Sequence, residues 1–274
     1  KGAIVNYVVR NVKKMVPAYN LPSAVRFNDA VARGTRGTLK KPDIAATDVA
    51  VLQYTGGTTG VSKGAVLQHR NVVANALQSE VWNGPVTKTI PAGEQYTSVC
   101  ALPLYHIFAF TVNMMLTMRM GGKTILIPNP RDMPAVLKEL SQHTFHSFPA
   151  VNTLFNGLVN HPDFGIVNWG NLKVSVGGGM AVQSAVAKLW LEKTGCPIVE
   201  GYGLSETSPS ATCNPVTSHE FSGNIGLPLP STWLKCLDDD GNEVPHGQPG
   251  EIAIKGPQVM AGYWQRPDET AKVM

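Results

Sequence analysis

From Asp48 onward, runs with strand character alternate with runs of helical periodicity, and this alternation restricts the fold more than any other feature. Residues 49–54, 97–102, 124–127, 145–148, 172–176 and 197–200 read as strands. Residues 71–81, 107–118, 133–142, 150–160 and 181–194 read as helices between them. Strands joined through helices run parallel, because a parallel pair needs a long crossover, and the crossover helices then cover the sheet. After Gly223 the helical period disappears. Residues 234–237 and 251–255 are short β-like runs on either side of the turn Asp238-Asp-Asp-Gly-Asn242. The expected fold class is therefore α/β. It has a parallel sheet layered with helices over residues 49–222 and a small antiparallel β subdomain, a sheet or barrel, over 223–274.

Residues 1–48 form a lead-in of different character. They carry nine Lys/Arg against three Asp, whereas the whole chain of 274 residues has a net charge of only +4. Residues 3–16 set Val5, Val8, Val9, Val12, Met15 and Val16 on one helical face, with Arg10, Lys13 and Lys14 elsewhere. Such a helix packs on its own domain or lies on an anionic membrane, and the first is the commoner arrangement. Pro17, Pro22, Gly34, Gly37 and Pro42 break up the segment that follows. No basic stripe interleaved with aromatics runs through the sequence, so nucleic acid is not an expected partner. Cys100, Cys196, Cys213 and Cys236 are far apart with no C-x-x-C, which favours free thiols in a reducing cytosol over a zinc site. The longest mostly apolar run, 107–118, is too short to span a bilayer.

The chemistry concentrates in Tyr54-Thr-Gly-Gly-Thr-Thr-Gly-Val-Ser-Lys-Gly64. Gly56, Gly57 and Gly60 allow close backbone approach, Thr55, Thr58 and Thr59 supply hydroxyls, and Lys63 supplies a compact cation. A flexible Ser/Gly linker would need neither Tyr54 nor Lys63. The stretch reads as a phosphate cradle. It is not a Walker loop, because Gly64 follows Lys63 and residues 65–68 continue as a strand rather than a helix. It is not a dinucleotide fingerprint either, since G-x-G-x-x-G is absent.

Two later loops fall at the carboxyl ends of expected strands, where open α/β sheets bind ligands. Ser175-Val-Gly-Gly-Gly-Met180 brings Gly178 and Gly179, and Glu200-Gly-Tyr-Gly-Leu-Ser-Glu206 sets Tyr202 between Gly201 and Gly203. A flat aromatic beside bare backbone suits a stacked base, and Glu206 is the carboxylate placed to hold Mg²⁺ against phosphate oxygens. Taken singly, each of these also fits a tight turn, a packed tyrosine or a carboxylate at a helix start. Their conjunction points to a nucleotide site.

These segments resemble those of the adenylate-forming superfamily, which includes acyl-CoA synthetases, luciferases and peptide-synthetase adenylation domains. The stretch 54–64 is similar to its signature loop, and 200–206 to its Tyr-Gly-x-Thr-Glu motif, with Ser205 in place of threonine. Leu102-Pro-Leu-Tyr-His-Ile-Phe-Ala109, Gly226-Leu-Pro and Gly262-Tyr-Trp-Gln-Arg-Pro267 match further family segments in order. The resemblance runs from about residue 45 to the end, and residues 1–44 resemble the bacterial long-chain fatty-acid–CoA ligase branch. It implies a two-step reaction: a fatty-acid carboxylate and ATP give acyl-adenylate and pyrophosphate, then the CoA thiol displaces AMP.

By the same resemblance, Thr55, Thr58, Thr59 and Lys63 grip the β- and γ-phosphates, with Tyr54, Gly56, Gly57 and Gly60 shaping the cradle. Glu206 holds Mg²⁺, and Tyr202 with Gly178 and Gly179 packs the adenine. Ser205 touches the α-phosphate, and Glu200, Gly201 and Gly203 complete the nucleotide site. His106 walls the acyl and thioester region, Phe110 gates an acyl tunnel, and helices 107–118 and 150–160 line it. His143 and His146 read as structural. Family members continue into a ribose-binding Thr-Gly-Asp segment and a small C-terminal lid domain with a catalytic lysine. The chain stops at Met274, so the resemblance implies a truncated large domain, inactive alone. Alternatives are a medium-chain or aryl acid–CoA ligase, or a non-catalytic nucleotide- or acyl-binding module. The implied setting is cytoplasmic, with peripheral contact at the inner membrane. Oligomeric state stays open, a homodimer included.

Overall fold

The computed structural model describes residues 2–55 and 62–274. The chain divides into two units, residues 1–44 and 45–274. In the first, α1 (Gly2–Tyr7) continues into a π-helical turn, Val8–Val12, and α2 spans Phe27–Gly34. The amphipathic helix expected over 3–16 ends early, because Lys14 takes a left-handed φ of 47° that no helix can propagate. No side chain of these helices is buried. Helix α2 falls between the breakers Pro22 and Gly37, in a stretch whose Phe27, Ala30 and Val31 follow a helical spacing.

In the second unit, β1 (Val49–Thr55) and β2 (Lys63–Gln68) pair antiparallel, with Thr55 opposite Lys63. They form a separate ribbon and do not join the parallel sheet. Residues 261–264 extend the ribbon: Val66 N–H donates to the Gly262 carbonyl at 2.9 Å and Trp264 N–H to the Gly64 carbonyl at 2.8 Å. The stretch around Tyr263 is thereby fixed beside the exit of the 54–64 loop.

The main sheet holds β3 (Thr97–Cys100), β4 (Lys123–Leu126), β5 (Ser147–Ala150), β6 (Val174–Gly177), β7 (Ile198–Gly203), β8 (Ser210–Cys213) and β9 (Leu227–Pro228). Its order is β4-β3-β5-β6-β7-β8-β9. The strands from β4 to β7 are parallel as the alternation implied. Strands β8 and β9 are antiparallel, which makes the sheet mixed. The chain leaves β7 through one tight turn at Ser205–Thr207, and so short a link permits only an antiparallel return. Residues after Gly223 contribute β9 to this sheet and then the two-stranded antiparallel sheet of β10 (Trp233–Leu237) and β11 (Glu251–Lys255). The Asp238 carboxylate caps the intervening turn, accepting from Asp240 N–H at 3.0 Å and Asn242 N–H at 2.8 Å.

Helices α3 (His69–Thr87), α5 (Met133–Leu140), α6 (Asn152–Val159) and α7 (Ser184–Thr194) connect these strands, with a π-helical segment Ala109–Met115 running into α4 (Leu116–Arg119). The main core is aromatic. Trp190 lies edge-on to Phe155 at 4.8 Å and Trp169 at 5.0 Å, stacks on Phe148 at 5.8 Å, and donates its indole N–H to Ser175 Oγ at 3.0 Å. Four large rings within that range bury several hundred Å² of apolar surface, and the partnered indole leaves no orphaned donor. Helix α6 is part of this core.

Candidate active site

The carboxyl ends of β6 and β7 open into a cavity of about 330 Å³. Thr55, His106, Gly178, Gly179, Gly201, Tyr202, Gly203, Ser205 and Glu206 all line it. The three regions singled out in the sequence therefore meet in one place. An apolar wall of Trp82, Phe108, Val112, Cys213 and Leu229 faces them.

Local backbone demands explain two of the glycines. A Cβ at Gly203 would stand 1.9 Å from the Pro209 carbonyl oxygen, so β7 and the returning chain approach this closely only over bare backbone. A Cβ at Gly178 would stand 3.0 Å from Phe108 Cε1, so the Phe108 ring uses the space that this residue leaves free. Below Glu206, Leu204 N–H donates to Thr207 Oγ1 at 2.9 Å, and Ser208 turns left-handed at φ 66° before the cis Ser208–Pro209 bond.

Glu206 is half-buried. One carboxylate oxygen, Oε1, accepts from the Tyr263 hydroxyl at 2.6 Å, and its backbone carbonyl accepts from Met260 N–H at 2.8 Å. Burial, and then the negative charge of Glu206 and Glu269, raise the Tyr263 hydroxyl well above the usual phenol range, so it remains a donor. Among the described residues no trio of His, Cys, Asp or Glu is gathered to hold a metal. The donor set at Glu206, a single carboxylate on a cavity wall, fits an ion that takes most of its ligands from substrate phosphates and water.

Lys63 is not on the cavity wall. Its ammonium sits 2.9 Å from Glu269 Oε2 and 4.8 Å above the Tyr263 ring. Glu200 is also turned away: its Oε1 accepts from Val182 N–H at 3.0 Å, and its carbonyl accepts from Asn214 N–H at 2.9 Å. Tyr54 is largely exposed, with its ring against Gly64. Gly56, Gly57, Thr58, Thr59 and Gly60 lie outside the described residues. His106 is exposed at the rim, where its Nδ1 accepts from Phe108 N–H at 3.2 Å.

Phe110 packs with Ala65, Leu67 and Tyr263 away from the cavity, and Phe108 takes the wall position expected of it. Two residues apart on a helix, the two rings point in different directions. Of the two helices expected to line a tunnel, the one over 107–118 contributes Ile107, Phe108 and Val112, whereas α6 is occupied by the aromatic core. His146 is structural, accepting from Thr97 N–H at 3.0 Å and contacting Glu94 at 3.1 Å, and His143 pairs with Glu139 at 3.0 Å.

The sequence reading missed Trp82, Tyr263 and a polar stripe on α3. Asn71, Asn75 and Gln78 are buried on one face of that helix. Asn75 exchanges bonds of 2.8 and 3.1 Å with the Ser210 backbone, and Gln78 reaches the Pro230 carbonyl at 2.6 Å. This stripe fixes the strand that forms the cavity's back wall. The legible signal was amides at positions i, i+4 and i+7, a spacing that puts all three on one helix face.

A family model described as AMP-binding enzyme matches residues 8–264. The chain belongs to the AMP-binding enzyme family. It is 50% identical over its whole length to the long-chain-fatty-acid–CoA ligase of an Escherichia coli strain and 51% identical to that of Yersinia pestis. It covers 48% of each, so the chain spans about half the length of the curated relatives it matches. Among solved structures, ATP-bound MatB from Rhodopseudomonas palustris superposes with a TM-score of 0.74 at 29% identity, over 86% of this chain and 45% of that one. The family's fold thus agrees with the sheet and helices described above.

The cysteines give a direct check on this wall. All four are free, and only Cys236 is exposed. Burial pushes the Cys213 thiol up to about 12, leaving it protonated at ordinary pH. At pH 8 a thiol-disulfide reagent is expected to modify Cys236 rapidly and Cys213 only on unfolding, as read by peptide mass mapping. Equal rates in the native protein would contradict the buried wall.

Proposed function

We propose that a protein carrying this chain activates a long-chain fatty acid in two steps. The carboxylate oxygen attacks the α-phosphorus of ATP and pyrophosphate leaves. The CoA thiol, losing its proton, then attacks the acyl carbon and AMP leaves with its electron pair. The observation that carries this reading is the single cavity in which Gly178, Gly179, Tyr202, Ser205, Glu206 and Thr55 face an apolar wall.

In this reading Tyr202 and the bare backbone of Gly178 and Gly179 take the two sides of the adenine. Ser205 points its hydroxyl at the α-phosphate, and Thr55 begins the 55–60 cradle for the outer phosphates. Lys63 closes that cradle at its exit. Glu206 would hold Mg²⁺ together with phosphate oxygens, and the ion would neutralise charge developing on the leaving pyrophosphate. His106 stands at the rim where the acyl carboxyl and the thiol would meet. Trp82, Phe108, Val112 and Leu229 would receive the first part of the acyl chain, and burying each methylene contributes about 0.8 kcal/mol. The likeness to long-chain-fatty-acid–CoA ligases supports an aliphatic acid over an aryl one.

ATP–pyrophosphate exchange in a full-length protein carrying this chain, run with acids of graded length, tests the proposal. Exchange is expected to rise with chain length and to fall by about 10²-fold in Glu206→Gln, the scale of losing one electrostatic stabiliser of the transition state. ATP binding with no exchange for any acid would favour a non-catalytic binding module instead.

We also propose that the lead-in unit touches anionic membrane surface. Ile4, Val5 and Val12 are exposed there, in the segment that carries Arg10, Lys13 and Lys14. Basic residues near an anionic surface contribute about 1 kcal/mol each. Neutralising all three should weaken co-sedimentation with phosphatidylglycerol vesicles by more than tenfold. Unchanged binding would remove this proposal.

A further inference from the structure

Lys63 was expected to grip phosphate, yet its ammonium is engaged elsewhere, and its partners form a continuous line to Glu206. Glu269 Oε2 holds Lys63 at 2.9 Å, while its other oxygen takes Lys272 at 2.6 Å and Arg266 at 3.3 Å. Lys63 in turn lies 4.8 Å over the face of Tyr263. The Tyr263 hydroxyl donates to Glu206 at 2.6 Å, and Glu206 lines the cavity.

This line is anchored at several points. Tyr263 is buried, and its N–H donates to Thr270 Oγ1 at 2.9 Å, so α8 (Pro267–Thr270) and the tyrosine are tied together. The side chains of Lys63 and Glu269 are themselves mostly covered, with 23% and 18% of their surface exposed. A covered pair with a ring beneath it is screened far less than a surface ion pair. A cation held over an aromatic face is attracted to it and so favours that placement of the ring. The phenol O–H lies in the ring plane, so the placement of the ring carries over to the bond that Glu206 accepts from it.

We propose that Tyr263 and Glu269 are positioning residues for Glu206, with Lys63 as the link between them. Tyr263 occupies one carboxylate oxygen of this cavity-lining acid and leaves the other for the cation. Glu269 acts at one remove, by keeping Lys63 over the ring. Lys63 so held also pins the end of the 54–64 loop to the 262–270 segment, which couples the cradle to the acid. This rests on the reading of the cavity as an adenylation site, because it assigns Glu206 to the divalent cation there.

The test compares Tyr263→Phe, Glu269→Gln and the double variant in a full-length protein carrying this chain. The Mg²⁺ concentration giving half-maximal ATP–pyrophosphate exchange should rise about tenfold in Tyr263→Phe and about threefold in Glu269→Gln. The double variant should match Tyr263→Phe within twofold, and KM for the fatty acid should stay near the parent value in all three. Mn²⁺ affinity in the presence of ATP, read by electron paramagnetic resonance without turnover, should move in the same order. Parent-like metal dependence in Tyr263→Phe, or losses that multiply in the double variant, would overturn the proposal. If the parent protein itself shows neither exchange nor metal-dependent ATP binding, the adenylation reading fails. The line is then judged by thermal denaturation of Lys63→Met, Tyr263→Phe and their combination, where non-additive shifts support it and additive shifts overturn it.

Discussion

A strand enclosed within a sheet must pair its N–H and C=O groups on both edges, because an unpaired backbone group out of water costs as much as a lost hydrogen bond. Strand β7 meets this demand by pairing residues 198–200 with the parallel β6 and residues 201–203 with the antiparallel β8. The change of direction shapes the site. It forces the chain to reverse within a few residues after Gly203, places Ser205 and Glu206 on the reversal, and brings the Pro209 carbonyl against Gly203. The cavity opens where the parallel strands end and the reversed strand begins. Its rear is fixed by the amide stripe of α3, whose Asn75 and Gln78 hold Ser210 and Pro230 in place. Tyr202 projects from the part of β7 that runs past the end of β6, where Thr212 of β8 is its partner.

Much of this was legible in the sequence because it rests on local rules. Strand–helix alternation required parallel strands, and the strands from β4 to β7 are parallel. Residues 65–68 read as a strand rather than a helix after the loop, and β2 covers them. What was not legible depends on contacts distant in sequence. The ribbon of β1 and β2 stays apart from the main sheet because residues 261–264 pair with it, about two hundred positions further on. Phe108 and Phe110 are equivalent in composition and differ only in which side of the helix faces the cavity. The end of the first helix at Lys14 reflects a backbone angle that composition does not encode.

The side chains of the expected site illustrate the same division. Gly203 and Gly178 are places of close approach, with an added Cβ 1.9 Å from the Pro209 carbonyl oxygen and 3.0 Å from Phe108, whereas Gly179 and Gly201 meet nothing nearer than 3.5 Å. Charged residues were less legible, because a charge finds whichever partner the fold supplies. Glu200 serves the Val182 N–H rather than the cavity, and Lys63 serves Glu269 and Tyr263. Glu206 remains on the wall, with Tyr263 governing one of its oxygens. The proposed nucleotide pocket is thus made from backbone and one aromatic ring, and the Tyr263 hydroxyl donates to its acid from behind.

The central claim is that the base of an adenine nucleotide lies between Tyr202 and the Gly178–Gly179 backbone. Photolabelling with 8-azido-ATP followed by peptide mapping tests it most directly. Label should appear in peptides covering residues 177–180 or 201–206, and excess ATP should abolish it. Labelling confined to other peptides, or labelling there that ATP does not suppress, would contradict the account.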